Sequence, residues 1–382
     1  MNFDNLPKGW QVKRLGEVAK VFSGSSAPQG SQYFENGKYP FVRVQDVGLF
    51  GRTKNLTNTK DKINDEALKK FRLVLAKKGS IVFPKSGAAI LTNNRAMLGV
   101  DAYVVGHLAI IEADEEQVSK DYLYHWLCNF DVASFVKTTS LPSLRLSLIK
   151  EFEIPCPPLP QQRRIVRRIE ELTSRIEEAK GLRLAAQKET EAIMPAALHE
   201  IFGKAQLEWE SVALGETIKL TSGRFLPAKQ MQDGGPYPVY GGNGIVGYHT
   251  QYLFEESKVI IGRVGAKCGC VHITQSKSWI TDNALYVTDK LKDIVDEYLA
   301  LALRHLNLNQ FAKQAAQPVI SQKLIKPLKI PLPPSDEQRR IVAYLDRLQA
   351  KVEELRRLQE ETQKEIEAMR AAVLTKAFAG EL

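Results

Sequence analysis

Apolar residues recur at steps of four and three in two stretches of the chain. They are Ile165, Ile169, Leu172, Ile176 and Ala179 in the first stretch, and Ile341, Leu345, Leu348, Val352 and Leu355 in the second. This spacing predicts two long helices, each with a coiled-coil seam. The same phase continues through Ile193, Ala197, Ile366, Met369 and Val373, and polar or small residues such as Arg183, Ala186 and Gln359 interrupt it. We expect each helix to have about 40 residues and a length of about 60 Å.

A proline-rich segment precedes each predicted helix. Ile154–Pro158 and Ile330–Pro334 share the pattern Ile-Pro-x-Pro-Pro, which favours extended backbone and excludes helix. The helices are therefore predicted to begin just beyond these prolines. A predicted globular block of roughly 125 residues separates the two helices. This length lets the chain return, so the two helices can pair in antiparallel orientation.

Short runs of β-branched and aromatic residues predict strands in the remaining parts of the chain. They lie at 41–44, 80–83, 103–105 and 108–111 before the first long helix, and at 258–261 and 284–287 before the second. A helix is predicted after these strands in both parts, with Ser119 as the N-cap in the first. Each part is therefore predicted to be a mixed α/β (α+β) domain.

The chain contains an internal repeat with a period of roughly 180 residues, which indicates a duplicated domain pair. Trp10 and Leu15-Gly16-Glu17 recur as Trp209 and Leu214-Gly215-Glu216 at an offset of 199, and Gln162–Val166 recurs as Gln338–Val342 at an offset of 176. The predicted fold is two similar globular domains joined by two long antiparallel coiled-coil helices, with pseudo-twofold symmetry. We place the domains at 1–155 and 206–331 and the helices at 156–205 and 332–382.

Composition indicates a globular protein with a basic excess. Lys plus Arg number 53 against 44 Asp plus Glu, a net charge of +9, and 44% of residues are hydrophobic, which excludes disordered and collagen-like classes. The excess lies mainly in 1–155 and 206–331 and mildly favours a polyanionic partner. Four cysteines are too few for a disulfide framework, and we find neither a membrane-spanning run nor a signal peptide. We therefore expect a cytoplasmic protein with no membrane partner.

Enzyme motifs are scarce in this sequence. Gly242–Gly247 satisfies G-x-G-x-x-G, but the residues that follow, Tyr248–Tyr252, are a poor helix start, so a glycine-rich turn is favoured over a dinucleotide site. Cys268-Gly269-Cys270-Val271-His272 lacks the second ligand pair of a zinc site, which favours buried thiols over metal ligands. We find no Walker A motif, no Asn-Pro-Pro-Tyr or Asp-Pro-Pro-Tyr tetrapeptide and no Pro-Asp dipeptide. No catalytic residue and no metal ligand is predicted.

Polar and basic residues on glycine-containing loops suggest DNA contacts instead. Lys85 and Arg263 each follow a predicted strand, and such side chains can contact phosphates or base edges. For any single residue, a solvated surface position remains the alternative. The candidate DNA-binding residues are Arg43, Gln45, Lys85, Ser86, Thr139, Arg145, Arg224, Asn243, Arg263, Lys267, Gln317, Ser321 and Lys323.

Together these motifs resemble the specificity subunit of type I restriction-modification systems. The resemblance rests on the Trp-x-x-x-x-Leu-Gly-Glu opening, the Tyr240–Ile245 turn, the twice-used Ile-Pro-x-Pro-Pro followed by Gln-Arg-Arg-Ile-Val and a long helix, and the closing segment Ala377–Leu382. It covers essentially the whole chain. It implies that each globular domain is a target recognition domain for one half of a bipartite DNA site, and that the helices set the distance between the halves.

The resemblance also implies partners. They are double-stranded DNA, two methyltransferase subunits, and restriction/translocase subunits. S-adenosylmethionine, ATP and Mg²⁺ would belong to the partner subunits, so this chain is expected to be non-catalytic and to hold no cofactor. The residues that match the family's helix-start motif are interpreted as structural or partner-docking: Gln162, Arg163, Arg164, Gln338, Arg339 and Arg340. Two alternatives remain at this point, a stand-alone DNA-modifying enzyme and a coiled-coil adaptor without DNA affinity.

Overall fold

The computed structural model describes residues 6–50, 52–136, 142–232, 234–265, 267–312 and 319–382. It divides into two compact units: the first comprises Met1–Leu182 and Thr362–Leu382, and the second comprises Arg183–Glu361. Two long helices, α6 (Leu159–Glu208) and α10 (Ser335–Ala379), each contribute residues to both units. Within the part of the chain just defined, no helix is long and apolar enough to cross a membrane.

The first unit is built on two sheets and a small strand pair. Its strands are β1 (Gln11–Arg14), β2 (Ala19–Ser23), β3 (Tyr39–Val42), β4 (Arg52–Leu56), β5 (Asp61–Ile63), β6 (Leu75–Ala76), β7 (Ile81–Pro84), β8 (Arg95–Leu98), β9 (Ala102–Val104), β10 (Leu108–Ala113) and β11 (Glu153–Cys156). The sheets have the orders β2-β10-β7-β8-β4 and β5-β3-β9-β6, and β1 pairs with β11. The shorter helices are α1 (Leu15–Val18), α2 (Val44–Phe50), α3 (Asp65–Lys70), α4 (Lys120–Asn129) and α5 (Leu146–Lys150).

The second unit repeats this plan with fewer strands. They are β12 (Ser211–Ala213), β13 (Ile218–Ser222), β14 (Tyr237–Gly241), β15 (Gly244–His249), β16 (Val259–Gly262), β17 (Val271–Ile273), β18 (Trp279–Ile280), β19 (Ala284–Lys290) and β20 (Lys329–Pro331). The sheets have the orders β13-β19-β16-β17 and β15-β14-β18, and β12 pairs with β20 as β1 pairs with β11. Its shorter helices are α7 (Leu214–Thr217), α8 (Asp296–His305) and α9 (Gln322–Ile325).

The two long helices begin where the proline-rich segments end, as predicted. With 50 and 45 residues they exceed the expected length. In α10 every seventh residue is buried, namely Leu345, Val352, Gln359, Ile366 and, in part, Val373. The intervening seam positions Leu355 and Met369 are 43% and 48% exposed, so their predicted burial was wrong. One of the two seam rows therefore supplies most of the packing on this helix.

The helix segments pair in antiparallel orientation within each unit. In the first unit, Ile165 and Ile169 near the start of α6 share a core with Leu374 and Phe378 near the end of α10. In the second unit the order is reversed, because Phe202 near the end of α6 shares a core with Ile341 near the start of α10. These contacts confirm the predicted antiparallel arrangement.

Two local predictions were wrong in detail. Val44 starts α2 and does not end a strand, because the buried Asp46 carboxylate accepts hydrogen bonds from the backbone N–H groups of Arg43 (2.7 Å) and Lys60 (3.0 Å) and stabilises a turn into helix there. Ser119 does occupy the N-cap position of α4, but its side chain makes no capping hydrogen bond. Its backbone N–H is bonded to another side chain, Gln162.

A Ser-Gly pair is repeated at the end of β2 and β13, and close backbone contact requires its glycine. A Cβ atom on Gly24 would lie 2.0 Å from the carbonyl oxygen of Val104, and one on Gly223 would lie 2.3 Å from the carbonyl oxygen of Ile280. Glycine alone therefore lets these strand ends pass against the neighbouring chain. In the second unit this places Ser222 beside the loop that follows β16.

Candidate nucleic-acid interface

One loop is built in the same way in both units, at the residue that follows β7 or β16. The N–H of Lys85 donates to the carbonyl of His107 (2.9 Å), and its carbonyl accepts from Leu144 (2.8 Å). The N–H of Arg263 donates to the carbonyl of Asn283 (2.8 Å), and its carbonyl accepts from Ile320 (2.8 Å). The backbone thus holds one basic side chain at the same place in each unit.

In the first unit this loop borders a polar cavity. Three predicted residues, Arg43, Lys85 and Ser86, line it together. The guanidinium of Arg43 lies over the rings of Phe34 and Phe41 and forms an ion pair with Asp61. Arg43 is therefore held by its own unit, and Lys85 carries the available positive charge of this cavity.

In the second unit the loop borders another polar cavity, which Arg263 lines together with Ser321 and Lys323, again three predicted residues. Arg263 Nη1 donates to the hydroxyl of Ser222 over 3.3 Å, which orients the guanidinium without neutralising it. Arg263 is half-buried and Lys323 is exposed. The cavity presents an oriented arginine beside an exposed lysine, and these donors suit phosphate and base-edge acceptors.

These basic side chains have no acidic partner within the described ranges. None of the following forms an ion pair with a described carboxylate: Lys85, Arg145, Arg224, Arg263, Lys267 and Lys323. By contrast, most ion pairs of this protein lie elsewhere on its surface or along the long helices. Lysine and arginine side chains without an acidic partner can pair with the phosphates of a polyanion, and this pairing releases the counterions that the phosphates held.

The remaining predicted residues are placed separately. Arg145 and Ser321 occupy the same position in their units, the N-cap of α5 and of α9. Arg224 is exposed beyond β13, Asn243 is exposed in the β14–β15 turn, and Lys267 is exposed beyond β16. Gln45 is exposed on α2. Thr139 and Gln317 lie outside the described residues.

Sequence inspection missed several residues that line these cavities. They are Ser26, Gln29 and His107 in the first unit and Ser222, Gln322 and Lys326 in the second. Ser222 and Lys326 belong to motifs that recur in both copies, so the repeat itself was the signal for them. His107 carried no such signal.

Ser86 and His107 form a pair that the sequence did not suggest. Ser86 Oγ lies 2.7 Å from His107 Nδ1. A Ser-His-Asp arrangement also needs a carboxylate that orients the imidazole. Among the described residues, no carboxylate hydrogen-bonds to His107. The pair therefore adds polar groups to the cavity and does not amount to a catalytic triad.

Two other motifs take ordinary structural roles. The glycines Gly241, Gly242 and Gly244 form the turn between the antiparallel strands β14 and β15, whereas a dinucleotide fingerprint opens a helix. Over the described ranges, no three His, Cys, Asp or Glu side chains lie close enough together to hold a metal ion. The site chemistry is thus that of hydrogen-bond donors and positive charge.

The chain resembles a known family of proteins. The family model described as "Type I restriction modification DNA specificity domain" matches residues 7–185 and 206–367, which is most of the chain. The chain belongs to this family. Membership in the specificity family implies a role in DNA recognition rather than in catalysis, and it favours this role over the two alternatives.

Relatives in the specificity family span the chain. The EcoprrI specificity subunit of Escherichia coli is 26% identical over 90% of this chain and 89% of its own length. The MjaIX specificity subunit of Methanocaldococcus jannaschii is 34% identical, over 53% of this chain and 46% of that protein. Among solved structures, one from work on complex assembly and conformational transition of the type I R-M system gives a TM-score of 0.77 at 25% identity. The alignment covers 99% of both chains.

A second solved structure, the HsdS subunit of Thermoanaerobacter tengcongensis, gives a TM-score of 0.67 at 27% identity over 99% of this chain and 98% of that chain.

In the present chain, the helix-start motif contains two kinds of residue. Gln162 and Gln338 are completely buried. The arginines Arg163, Arg164, Arg339 and Arg340 are exposed, and the last two pair with neighbouring acidic residues of α10.

Proposed function

We propose that this chain recognises an asymmetric bipartite DNA site, with each unit contacting one half, as part of a type I restriction-modification complex. The observation that carries the proposal is the matched loop with an unpaired cation, Lys85 in one unit and Arg263 in the other, beside hydroxyl groups. Lysine and arginine are the side chains that most often contact guanine acceptors and phosphates.

The two half-sites are expected to differ in sequence because the two cavities differ. Lys85 and Ser86 in the first unit correspond to Arg263 and Val264 in the second, and His107 corresponds to Asn283. Donors and acceptors at equivalent places therefore have different geometry. Since base discrimination depends on that geometry, identical half-sites would not be bound equally well.

The long helices are proposed to set the unrecognised spacer between the half-sites. At 1.5 Å per residue, helices of 50 and 45 residues are about 75 and about 68 Å long. Half-sites on one face of DNA are separated by about 34 to 36 Å per helical turn. Insertion of one heptad into each helix is expected to lengthen the spacer and to leave both half-sites unchanged.

Partner subunits are proposed to supply the chemistry. Two methyltransferase subunits would bind S-adenosylmethionine, and restriction/translocase subunits would use ATP and Mg²⁺. Family membership supports this division of roles, because the matching family model describes a DNA specificity domain.

The decisive experiment is co-expression of the chain with the methyltransferase subunits from neighbouring reading frames, followed by methylome sequencing. The proposal predicts one bipartite motif with two unlike halves. A perfect palindrome would contradict it. Binding of S-adenosylmethionine by the purified chain alone would instead support a stand-alone enzyme, and DNA binding that is absent from the assembled complex would support an adaptor.

A further inference from the structure

We propose that Gln162 and Gln338 are positioning residues that fix each recognition unit on its long helices and thereby fix the number of base pairs between the half-sites. The inference rests on the proposed function, since it concerns the spacer of a bipartite site. Both side chains are completely buried near the start of α6 and α10. A buried amide at a helix start is costly unless its donors and acceptor are all bonded.

In the first unit Gln162 satisfies this requirement with three backbone groups. Its Oε1 accepts from the N–H of Ser119 (2.8 Å), and its Nε2 donates to the carbonyls of Gln117 (3.1 Å) and Pro157 (2.8 Å). Ser119 is the N-cap of α4. One side chain thus joins the start of α6 to the start of the helix that packs against the sheet.

In the second unit Gln338 makes the same three bonds. Its Oε1 accepts from the N–H of Val295 (2.8 Å), and its Nε2 donates to the carbonyls of Asp293 (3.0 Å) and Pro333 (2.8 Å). Val295 is the N-cap of α8. Every partner lies 176 residues after its counterpart, although the residue type differs at two of the three partner positions. What repeats is the glutamine and the backbone geometry around it.

A tyrosine and a phenylalanine complete the attachment in each unit. The hydroxyl of Tyr122 donates to the carbonyl of Pro155 (2.7 Å), and that of Tyr298 donates to the carbonyl of Pro331 (2.9 Å). The ring of Phe378 packs on Tyr122 with centroids 5.2 Å apart. The ring of Phe202 packs on Tyr298 with centroids 5.6 Å apart.

Each unit therefore holds the start of one long helix and the end of the other. The apolar contacts alone would tolerate small sliding, since they have no directional requirement. The glutamine does not, because hydrogen bonds of about 2.8 to 3.1 Å break when the groups move apart by more than about half an ångström. One base pair along DNA corresponds to about 3.4 Å. A unit that shifts on its helices far enough to accept a spacer one base pair longer must break the two bonds that link each glutamine to the start of α4 or α8. The third bond, to a proline carbonyl, lies at the start of the long helix itself.

The test uses Q162M and Q338M, singly and together, in the complex with the methyltransferase subunits. Methionine keeps the length and volume of the side chain and removes its hydrogen bonds. Methylation is measured on plasmids that carry the native spacer or a spacer one base pair longer or shorter. We expect both half-sites to stay unchanged and discrimination against the altered spacers to fall at least about tenfold, which is about 1.4 kcal/mol. Q161M is the matched control, because Gln161 is the exposed neighbour of Gln162, and it is expected to discriminate like the wild type.

The outcomes separate this inference from the proposed function. A wild-type complex without a bipartite motif would overturn both. A bipartite motif whose spacer stays equally strict in the assembled variants would overturn the inference alone, and so would a changed half-site. If the double variant does not assemble, the single variants give the answer by the same measurement. Failure of both single variants to assemble would also overturn the inference, because it would make the glutamines residues of fold stability.

Discussion

Acid is expected to destabilise the first unit through His125 on α4. Its side chain is only 9% exposed, and Nε2 has no hydrogen-bond partner among the described residues. The pKa of His125 is lowered from 6.5 to about 4, mainly by burial. The charges of Lys54 and Arg370 also lower this pKa, whereas those of Glu170 and Asp121 raise it. The folded unit thus keeps this imidazole neutral at pH values where the unfolded chain protonates it.

Proton linkage gives the direction and the size of this change in stability with pH. Between the two pKa values the unfolded chain binds more protons, so stability falls as the pH drops below about 6.5, and the loss levels off below about pH 4. Between about pH 7.5 and about pH 5 this one group removes about 2 kcal/mol of unfolding free energy. The matched variant is H125L, because the equivalent residue on α8 of the second unit is the buried Leu301.

Calorimetric unfolding of both proteins at each pH measures the effect. We expect the wild type to lose about 2 kcal/mol more than H125L over this range. Each protein is compared with itself at the two pH values. A difference in packing that the substitution causes is the same at both pH values and therefore cancels. Equal losses in the two proteins would refute the reasoning, since they would show that His125 is protonated in the folded unit as readily as in the unfolded chain.

Three further predictions concern the second unit. The F202A substitution removes a completely buried ring and is expected to cost about 3 to 5 kcal/mol in denaturant unfolding, whereas L207A, at an 89% exposed residue, should change stability by less than about 0.5 kcal/mol. Equal effects would contradict the packing described for α6. T190V removes the hydroxyl that accepts from Gln359 Nε2 at 2.9 Å and should lower the free energy of unfolding by about 1 to 3 kcal/mol. The double variant T190V/Q359L should recover most of that loss. A double variant as unstable as T190V would count against this buried pair. K323M should reduce the slope of log affinity against log salt by about 1 for the assembled complex, and an unchanged slope would mean that Lys323 does not contact a phosphate.

The long helices were predictable because their signal is local. The seam of α6 and the proline-rich segments before both helices can be identified within a few turns of sequence, and the repeat confirms them. Burial along α10 was less accessible. The sequence does not reveal which seam row faces the partner segment, so Leu355 and Met369 were assigned to the interior although nearly half of each residue is exposed.

The candidate site was only partly predictable because it depends on strand pairing across long distances. Lys85 and Arg263 follow predictable strands. His107 joins the first cavity only because β10 pairs with β7 in the five-stranded sheet, and no local pattern reports that pairing. Gln162 was noticed as part of a repeated motif, but its polarity argues for the surface. Its burial becomes understandable only when its three backbone partners are seen.

The central claim is that each unit recognises one half of the DNA site, and the methylomes of K85M and R263M test it most directly. Loss of a base-contacting cation is expected to relax one position by about 1 to 3 kcal/mol, or about fivefold to 150-fold. The account predicts that K85M relaxes one half-site only, that R263M relaxes the other half-site only, and that the spacer is constant in both. Relaxation of the same half by both variants, or of both halves by either one, would contradict it.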